Sequence, residues 1–179
     1  MAKKYLMTAF SEDRPGIVAS ISQLIYENGC SMEQSAMTNL SGEFAIMLLF
    51  SSIGNGDNGE LLDKMNAECR RLERDKGITA YIRPVTVEPQ DAKPGVQRKT
   101  IHVEGQDQAG IVYKVSQFLA TNKVNISHLN SDVRQSPQSG AALYTMSIDV
   151  EIPAGFSLDR LAEGLGEIGD ELNVDVTVD

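Results

Sequence analysis

Apolar residues recur along the first part of the chain with two different spacings. From Lys4 to Phe10, Tyr5, Met7 and Ala9 alternate with Leu6, Thr8 and Phe10, which is strand spacing with apolar side chains on both faces. After a polar turn, apolar residues recur at the spacing of one helix face. The helical stripe consists of Ile17, Val18, Ile21, Leu24 and Ile25. Asn28 and Gly29 end the stripe, as residues typical of helix C-termini. The pattern predicts a helix packed on a sheet.

Two further strands are predicted next. Residues 30–40 and 44–52 have strand character, and Ser41-Gly42 is a connection of the length used by antiparallel hairpins. Every position from Phe44 to Phe50 is apolar, which a strand with one wet face does not show. Together with Leu6 and Phe10, this run predicts that the helix-free face of the first domain packs on another domain, a second copy or a regulatory target.

A second helix and a last strand complete the first half. They follow a loop rich in glycine and asparagine at residues 54–59, and the helix ends at Gly77. The helical stripe is Leu61, Leu62, Met65, Cys69 and Leu72, and the strand is 78–87. The order strand-helix-strand-strand-helix-strand is that of a ferredoxin-like βαββαβ unit.

The same order returns at an offset of 94 residues, since the segment 13–18 reappears as 107–112. The second helical stripe is Ile111, Val112, Val115, Phe118 and Leu119, after which Asn122 ends the helix and Val124-Asn125-Ile126 begins a strand. A loop at 135–140, a cleanly alternating strand, a helix and a last strand follow, and the alternating strand can face water. We therefore predict an α+β protein of two ferredoxin-like domains, each an antiparallel four-stranded sheet with helices on one face. The predicted domains are residues 1–88 and 99–179, joined by a polar linker at 89–98 that contains two prolines and a glycine.

Composition and charge narrow the possible functions. The hydrophobic fraction of 41% is enough for two cores without disulfides, and the formal charge of −9 disfavours direct binding to nucleic acid. The fold order is shared with RNA-recognition modules, for which Phe10, Phe44 and Phe50 are the candidate stacking residues. Their apolar surroundings and the acidic charge favour a buried sheet, so RNA binding is the weaker alternative.

Cysteines, histidines and motifs indicate no catalytic or metal chemistry. Cys30 and Cys69 fit reduced core positions in a cytoplasmic protein, and His102 and His128 lack the close ligand pair of a metal site. The N-terminal residues show neither a signal peptide nor a membrane span, and no nucleophile or nucleotide-binding motif is present. The sequence thus predicts a non-enzymatic protein with no cofactor.

The repeated Asp-x-x-Gly turn carries the candidate binding chemistry. In one interpretation Asp13 and Asp107 cap the helices while Gly16 and Gly110 permit close packing. In the other, free N–H groups at the helix starts hold an α-carboxylate, while a nearby carboxylate or amide holds the α-ammonium group. Those N–H groups lie at Gly16, Ile17, Gly110 and Ile111. The second interpretation predicts an amino-acid site.

Two βαββαβ units with Asp-x-x-Gly-Ile-Val turns, and a strand beginning Val124-Asn125-Ile126, resemble tandem ACT domains. The two-domain layout is most similar to the glycine cleavage transcriptional repressor family. The resemblance implies a ligand site formed by the first loop of one unit and the start of the second strand of another. Residue by residue, this implies Asp13, Gly16, Asp107, Gly110 and Asn125, with Ser31 in place of the amide in the first repeat. Because Gln108-Ala109 replaces Arg14-Pro15, the two sites need not be equivalent.

The function expected from these observations is regulatory. We expect an oligomeric amino-acid sensor that acts through a protein partner, either a transcription factor or, as the alternative, a metabolic enzyme. Carboxylates and N–H groups recognise what all amino acids share, so the sequence does not name the ligand.

Overall fold

The computed structural model describes residues 3–53, 60–87, 95–135 and 142–179. By its internal contacts the chain divides into two compact units, Met1–Pro89 and Gln90–Asp179.

Unit 1 is a four-stranded antiparallel sheet with two helices. Its elements are β1 (Lys4–Glu12), α1 (Ile17–Glu27), β2 (Cys30–Leu40), β3 (Glu43–Ser52), α2 (Glu60–Lys76) and β4 (Thr79–Val85). The strand order is β2-β3-β1-β4. The β2–β3 hairpin turns at Ser41 and Gly42, whose φ angles of 53° and 83° are both left-handed, as its right-handed strand twist requires. The predicted hairpin is confirmed.

Unit 2 repeats this architecture. Its elements are β5 (Gln97–Gln106), α3 (Ile111–Thr121), β6 (Asn125–Gln135), β7 (Ala142–Ile152), α4 (Leu158–Leu172) and β8 (Val174–Val178). The strand order β6-β7-β5-β8 matches that of unit 1. The predicted fold of two ferredoxin-like βαββαβ units is confirmed.

A bulge interrupts the outer strand of each sheet at the same repeat position. The pairing of β2 with β3 shifts between Met32 and Gln34, and that of β6 with β7 shifts between Ile126 and His128. Glu33 and Ser127 are the extra residues, and they are 94 positions apart. The repeat is therefore conserved down to an irregularity that the apolar pattern does not reveal.

Each core lies between the helices and one face of its sheet. In β3 the helix-facing residues Phe44, Ile46, Leu48 and Phe50 are buried, and in β7 so are Tyr144, Met146, Ile148 and Val150. Burying one face of each strand in this way is the main contribution to the stability of such a unit. Phe44 and Phe50 are 2% and 0% exposed, as the buried-sheet interpretation predicts, so neither ring is available to stack on a base.

The helix-free face of unit 1 is partly apolar, as expected. Met47 is 50% exposed there, and the ring of Phe10 lies 6.3 Å from that of Tyr81, centroid to centroid. Leu49 is buried on this face although neither of the described helices of unit 1 lies over it. What covers the exposed part remains a prediction.

Some boundaries and stripe members differ from the sequence-based prediction. β5 begins at Gln97, so the last two residues of the predicted linker are strand, because their register with β7 extends to Ile152. Val18 and Val112 are 43% and 40% exposed, since they sit about 100° around the helix from the buried isoleucine before each. The loop at 54–59, most of the linker and the loop residues 136–140 lie outside the described residues.

Candidate functional site

The N-terminus of the first helix in each unit is formed by a glycine. Gly16 and Gly110 are the N-cap residues, with φ angles of 95° and 101°, and neither helix has a side-chain cap. Glycine is favoured here because other residues are strained at such angles. The interpretation of Asp13 and Asp107 as N-caps is therefore wrong.

This geometry leaves backbone donors at the helix start. The first helical hydrogen bonds run from Ser20 to the Gly16 carbonyl and from Lys114 to the Gly110 carbonyl, so the N–H groups of the first turn have no partner inside the helix. A Cβ added to either glycine would meet no atom within 4 Å. The arrangement offers unblocked N–H groups and the positive end of a helix dipole, which together attract an anion.

The side chains of Ile17 and Ile111 do not belong to this surface. They are 2% and 1% exposed and lie in the two cores. Only their backbone N–H groups can contact a ligand. Their burial fixes the first turn of each helix against the sheet, which holds those N–H groups in place.

The strand-to-helix loop is tied at its first residue in both units. The Asp13 N–H donates to the Gly42 carbonyl at 2.7 Å, and the Asp107 N–H donates to the Ala142 carbonyl at 3.1 Å. Gly42 is the turn residue just before β3, and Ala142 is the first residue of β7. Each loop is thus fastened to its neighbouring hairpin.

A second tie comes from the residue after the aspartate. The Arg14 guanidinium donates to the Lys76 carbonyl, and the Gln108 amide donates to the Leu172 carbonyl. Lys76 and Leu172 are the last residues of α2 and α4. Although the sequence difference between these loops suggested unequal sites, the two side chains make equivalent contacts.

The two aspartate side chains do differ in their surroundings. The Asp13 carboxylate accepts a hydrogen bond of 2.5 Å from the Asn39 side-chain amide. The repeat offset puts Val133 at the place of Asn39, and among the described residues the Asp107 carboxylate has no hydrogen-bond or ion-pair partner. The two loop aspartates thus differ, within the described part of the chain, in whether an amide already bonds to the carboxylate.

Ser31 and Asn125 lie far from the loop of their own unit. Ser31 is paired with Ser51, opposite the start of β1, whereas the loop follows the end of β1. From Asn39, beside the loop, to Ser31 is about 25 Å along the strand. Within one unit the loop and the strand start cannot share a small ligand, and the role of Ser31 and Asn125 remains a prediction.

Asn125 instead borders an open groove of about 560 Å³ between α3 and the start of β6. Its amide donates to Glu151 at 3.5 Å, and exposed Tyr113 stands on the helical side of the groove. The sequence reasoning did not identify this groove. It depends on how α3 crosses the outer strand, which no local pattern specifies.

Cysteines and histidines lie outside the candidate site. Cys30 and Cys69 are buried free thiols, and burial raises the pKa of the Cys69 thiol to about 11. His102 Nε2 is 3.4 Å from an Asp179 carboxylate oxygen on the helix-free face of unit 2. In the described residues, no group of three or more histidines, cysteines and carboxylates has the arrangement of a metal site.

Two ferredoxin-like units, each with a helix that begins at a glycine and a loop held by two hydrogen bonds, define a tandem repeat of one small α+β domain. Family models of the ACT domain match residues 4–77 and again residues 95–175. The chain belongs to the ACT-domain family. The resemblance to tandem ACT domains that the turn motif indicated is confirmed.

Individual relatives cover nearly the whole chain. The glycine cleavage system transcriptional repressor of Escherichia coli strain K12 is 27% identical over 170 residues, which are 94% of this chain and 85% of that protein. The crystal structure of an unknown protein from Galdieria sulphuraria matches with a TM-score of 0.79 at 26% identity, covering 100% of this chain and 98% of that one. Another crystal structure, bearing the name of a glycine cleavage system transcriptional repressor, has a TM-score of 0.69 over 100% of this chain and 97% of that chain. At 20% identity this last match shows the fold alone.

These relationships make the chain a regulatory ACT-domain protein, related to the glycine cleavage repressor, and not an enzyme. Both predictions are confirmed. Separately, no helix within the described ranges is long and apolar enough to cross a bilayer.

Proposed function

We propose that this protein senses a small amino acid at its Asp-x-x-Gly loops and passes the signal on by contact with a protein partner. The observation that carries the proposal is the loop of unit 2, where helix-start N–H groups lie three residues beyond the Asp107 carboxylate, and neither has a partner among the described residues. The relationship to a glycine cleavage repressor supports control of glycine-type metabolism and a cytoplasmic location.

An amino acid matches both halves of this loop. Its α-carboxylate is attracted to the N–H groups at Gly110 and Ile111 and to the helix dipole, as an anion at a helix start. Its α-ammonium group is attracted to Asp107. A phosphate fits less well, because an aspartate carboxylate beside it is repelled.

The two loops are expected to differ in affinity. In unit 1 the Asn39 amide already donates to the Asp13 carboxylate, so an ammonium group there has to share or displace that bond. In unit 2 none of the described residues bonds to the Asp107 carboxylate, so an ammonium group has no such bond to displace there. We therefore assign the stronger site to unit 2.

Binding regulates the protein only if the ligand prefers one arrangement of the chain. The largest shift that a ligand produces equals its difference in affinity between the two arrangements. The partner, a transcription factor or a metabolic enzyme, then binds the arrangement that the ligand favours. Pull-down from a lysate with and without the ligand identifies which of the two it is.

A thermal-shift panel of amino acids tests the proposal. A ligand at a hundred times its dissociation constant stabilises the folded state by roughly 2.7 kcal/mol, which gives a clear rise in Tm. We expect Asp107→Ala to abolish the response of the best ligand and Asp13→Ala to reduce it only slightly. The exposed Asp159→Ala serves as a charge-matched control.

Two results would contradict the proposal. One is that no amino acid changes the Tm of the wild-type protein. The other is that Asp107→Ala responds as the wild type does, which removes the site assignment even if an amino acid binds.

A further inference from the structure

The residue after each loop aspartate contacts the end of the second helix. Arg14 bonds to Lys76 across 62 positions of sequence, and Gln108 bonds to Leu172 across 64. In both units the acceptor is the carbonyl of the last helical residue, one of the four that find no donor inside a helix. A charged and a neutral side chain thus make the same contact in the two repeats, which indicates that the contact itself is what the fold requires.

We propose that Arg14 and Gln108 are positioning residues that hold each loop in its ligand-receiving conformation. This inference rests on the proposed function of the loop. Neither side chain is assigned a contact with the ligand. Each acts through the loop backbone, and we call the contact the loop latch.

The latch restrains the most permissive residue of the loop. Gly110 is two residues beyond Gln108, and without restraint a glycine visits both signs of φ almost equally. The tie from Asp107 to Ala142 fixes one side of the loop, and the latch fixes the other. The buried Ile111 side chain holds the first turn of α3, and the two ties hold the loop that leads into that turn in one conformation. If the site is formed in only a fraction of the molecules, its apparent dissociation constant equals the intrinsic value divided by that fraction.

The latch also connects the loop to the end of α4. Next to Leu172 is Asn173, whose left-handed φ of 47° turns the chain into β8 and whose N–H donates to Asp170. A ligand that orders the loop therefore orders this turn, and the coupling is reciprocal. The effect of binding is measurable at Asn173 although the ligand does not touch it.

Hydrogen exchange tests the latch without any ligand. The Asp107 amide, bonded to Ala142, reports the order of the loop. We expect Gln108→Ala to speed its exchange about fivefold or more, in proportion to the fraction of loop that opens. Gln108→Arg is expected to restore the slow rate, because arginine makes this contact in unit 1.

A matched control separates the latch from a general loss of stability. Lys114 bonds to Glu171, in the same last turn of α4, but Lys114 belongs to α3 and not to the loop. Lys114→Ala is expected to leave Asp107 exchange at the wild-type rate. Unchanged exchange in Gln108→Ala, no rescue by arginine, or equal acceleration in the control would each overturn the latch.

Titration calorimetry with glycine as the probe tests the positioning role. We expect Gln108→Ala to bind glycine about fivefold to tenfold more weakly than the wild type and Gln108→Arg to stay within about twofold. If exchange accelerates while affinity is unchanged, the loop is latched but the latch positions nothing, and the proposal is wrong. If neither glycine nor any other amino acid binds the wild type, the proposed function fails, while the exchange result still decides whether the latch exists.

Discussion

At the scale of single residues, Gly16 and Gly110 determine how each loop joins its helix. Their φ angles near +100° are reached by other residues only at a cost of roughly 1–2 kcal/mol. Nothing lies within 4 Å of a Cβ at either position, so the cost of a substitution is conformational and not steric. The glycine of the motif is therefore required by the backbone before any ligand is considered.

Replacing Gly110 tests this explanation. We expect Gly110→Ala to lower the free energy of unfolding by roughly 1 kcal/mol or more, measured by urea denaturation. Gly110→Asn should cost less, because asparagine tolerates left-handed angles better. An asparagine variant that is less stable than the alanine variant would contradict a purely conformational origin.

The Cys69 thiol gives the unfolding free energy a pH dependence. Because burial raises its pKa to about 11, the folded state holds the proton more tightly than the unfolded chain does. This contribution is fully present below the ordinary thiol pKa and is lost as the pH rises through the folded value. Between roughly pH 9 and pH 11 we expect the wild type to lose up to about 2 kcal/mol more than Cys69→Ala, by urea denaturation at each pH. Parallel pH profiles for the two proteins would contradict this, because they would mean that the thiol has the same pKa in the folded and unfolded states.

At the scale of elements, the glycines of α4 differ in how closely other parts of the structure approach them. A Cβ at Gly164 would lie 2.4 Å from the Phe118 ring, and one at Gly169 would lie 2.7 Å from the Val174 carbonyl oxygen. These two glycines let α3 and β8 approach the helix. At Gly166, by contrast, a Cβ would meet nothing within 4 Å.

We therefore expect alanine substitutions at these glycines to change the stability of the protein in opposite directions. Gly166→Ala should stabilise the protein by roughly 0.5–1 kcal/mol, because glycine loses more backbone freedom than alanine in a helix. Gly164→Ala should destabilise it by roughly 1–3 kcal/mol, since Phe118 has to leave its place. Thermal denaturation of both variants beside the wild type measures the difference, and a loss of stability in Gly166→Ala would contradict the reading of that site as open.

The strands and helices were also the features of the structure that the sequence predicted best. Strand and helix periods predicted the eight strands and four helices that the described residues form, because alternate or helical burial leaves a local trace such as the Tyr144 to Val150 series. The contacts of the candidate site leave no such trace. Gln108 meets Leu172, and Asp13 meets Asn39, through the closure of the sheet and not through neighbouring positions. Glycine in the motif was visible, but its role as the N-cap was not, since aspartate is the more common cap.

At the scale of the whole molecule, the helix-free face of unit 1 carries the prediction of self-association. Contiguous exposed apolar side chains on a soluble protein mark interaction surfaces, and Phe10, Met47 and Tyr81 form part of such a surface here. In unit 2 the matching face carries polar side chains, including His102, Glu104, Ser147 and Asp149. If copies of the chain meet, we expect them to meet through unit 1.

Met47→Lys tests this expectation. Met47 is half exposed, so the change should alter folding stability by no more than about 0.5 kcal/mol while weakening association. Light scattering over a concentration series should show more monomer than in the wild type. Tyr26→Lys, at an 81% exposed residue on α1, is the control and should leave the assembly unchanged. A wild-type protein that is monomeric at micromolar concentration would contradict the prediction directly.

The bulges in β2 and β6 affect how readily the sheet edges can aggregate. Both strands are outermost in their sheets and eleven residues long, and within its own unit neither has a strand partner on its outer side among the described residues. An exposed row of backbone groups of this kind is one on which strand after strand can stack into a fibril. The extra residue reverses the alternation of side chains partway along, so a flat foreign strand that matches one part is out of phase with the other. In unit 1 that residue is Glu33, whose carboxylate is paired with Lys4 at 2.6 Å. The irregularity repeated in each unit therefore protects the chain against open-ended growth.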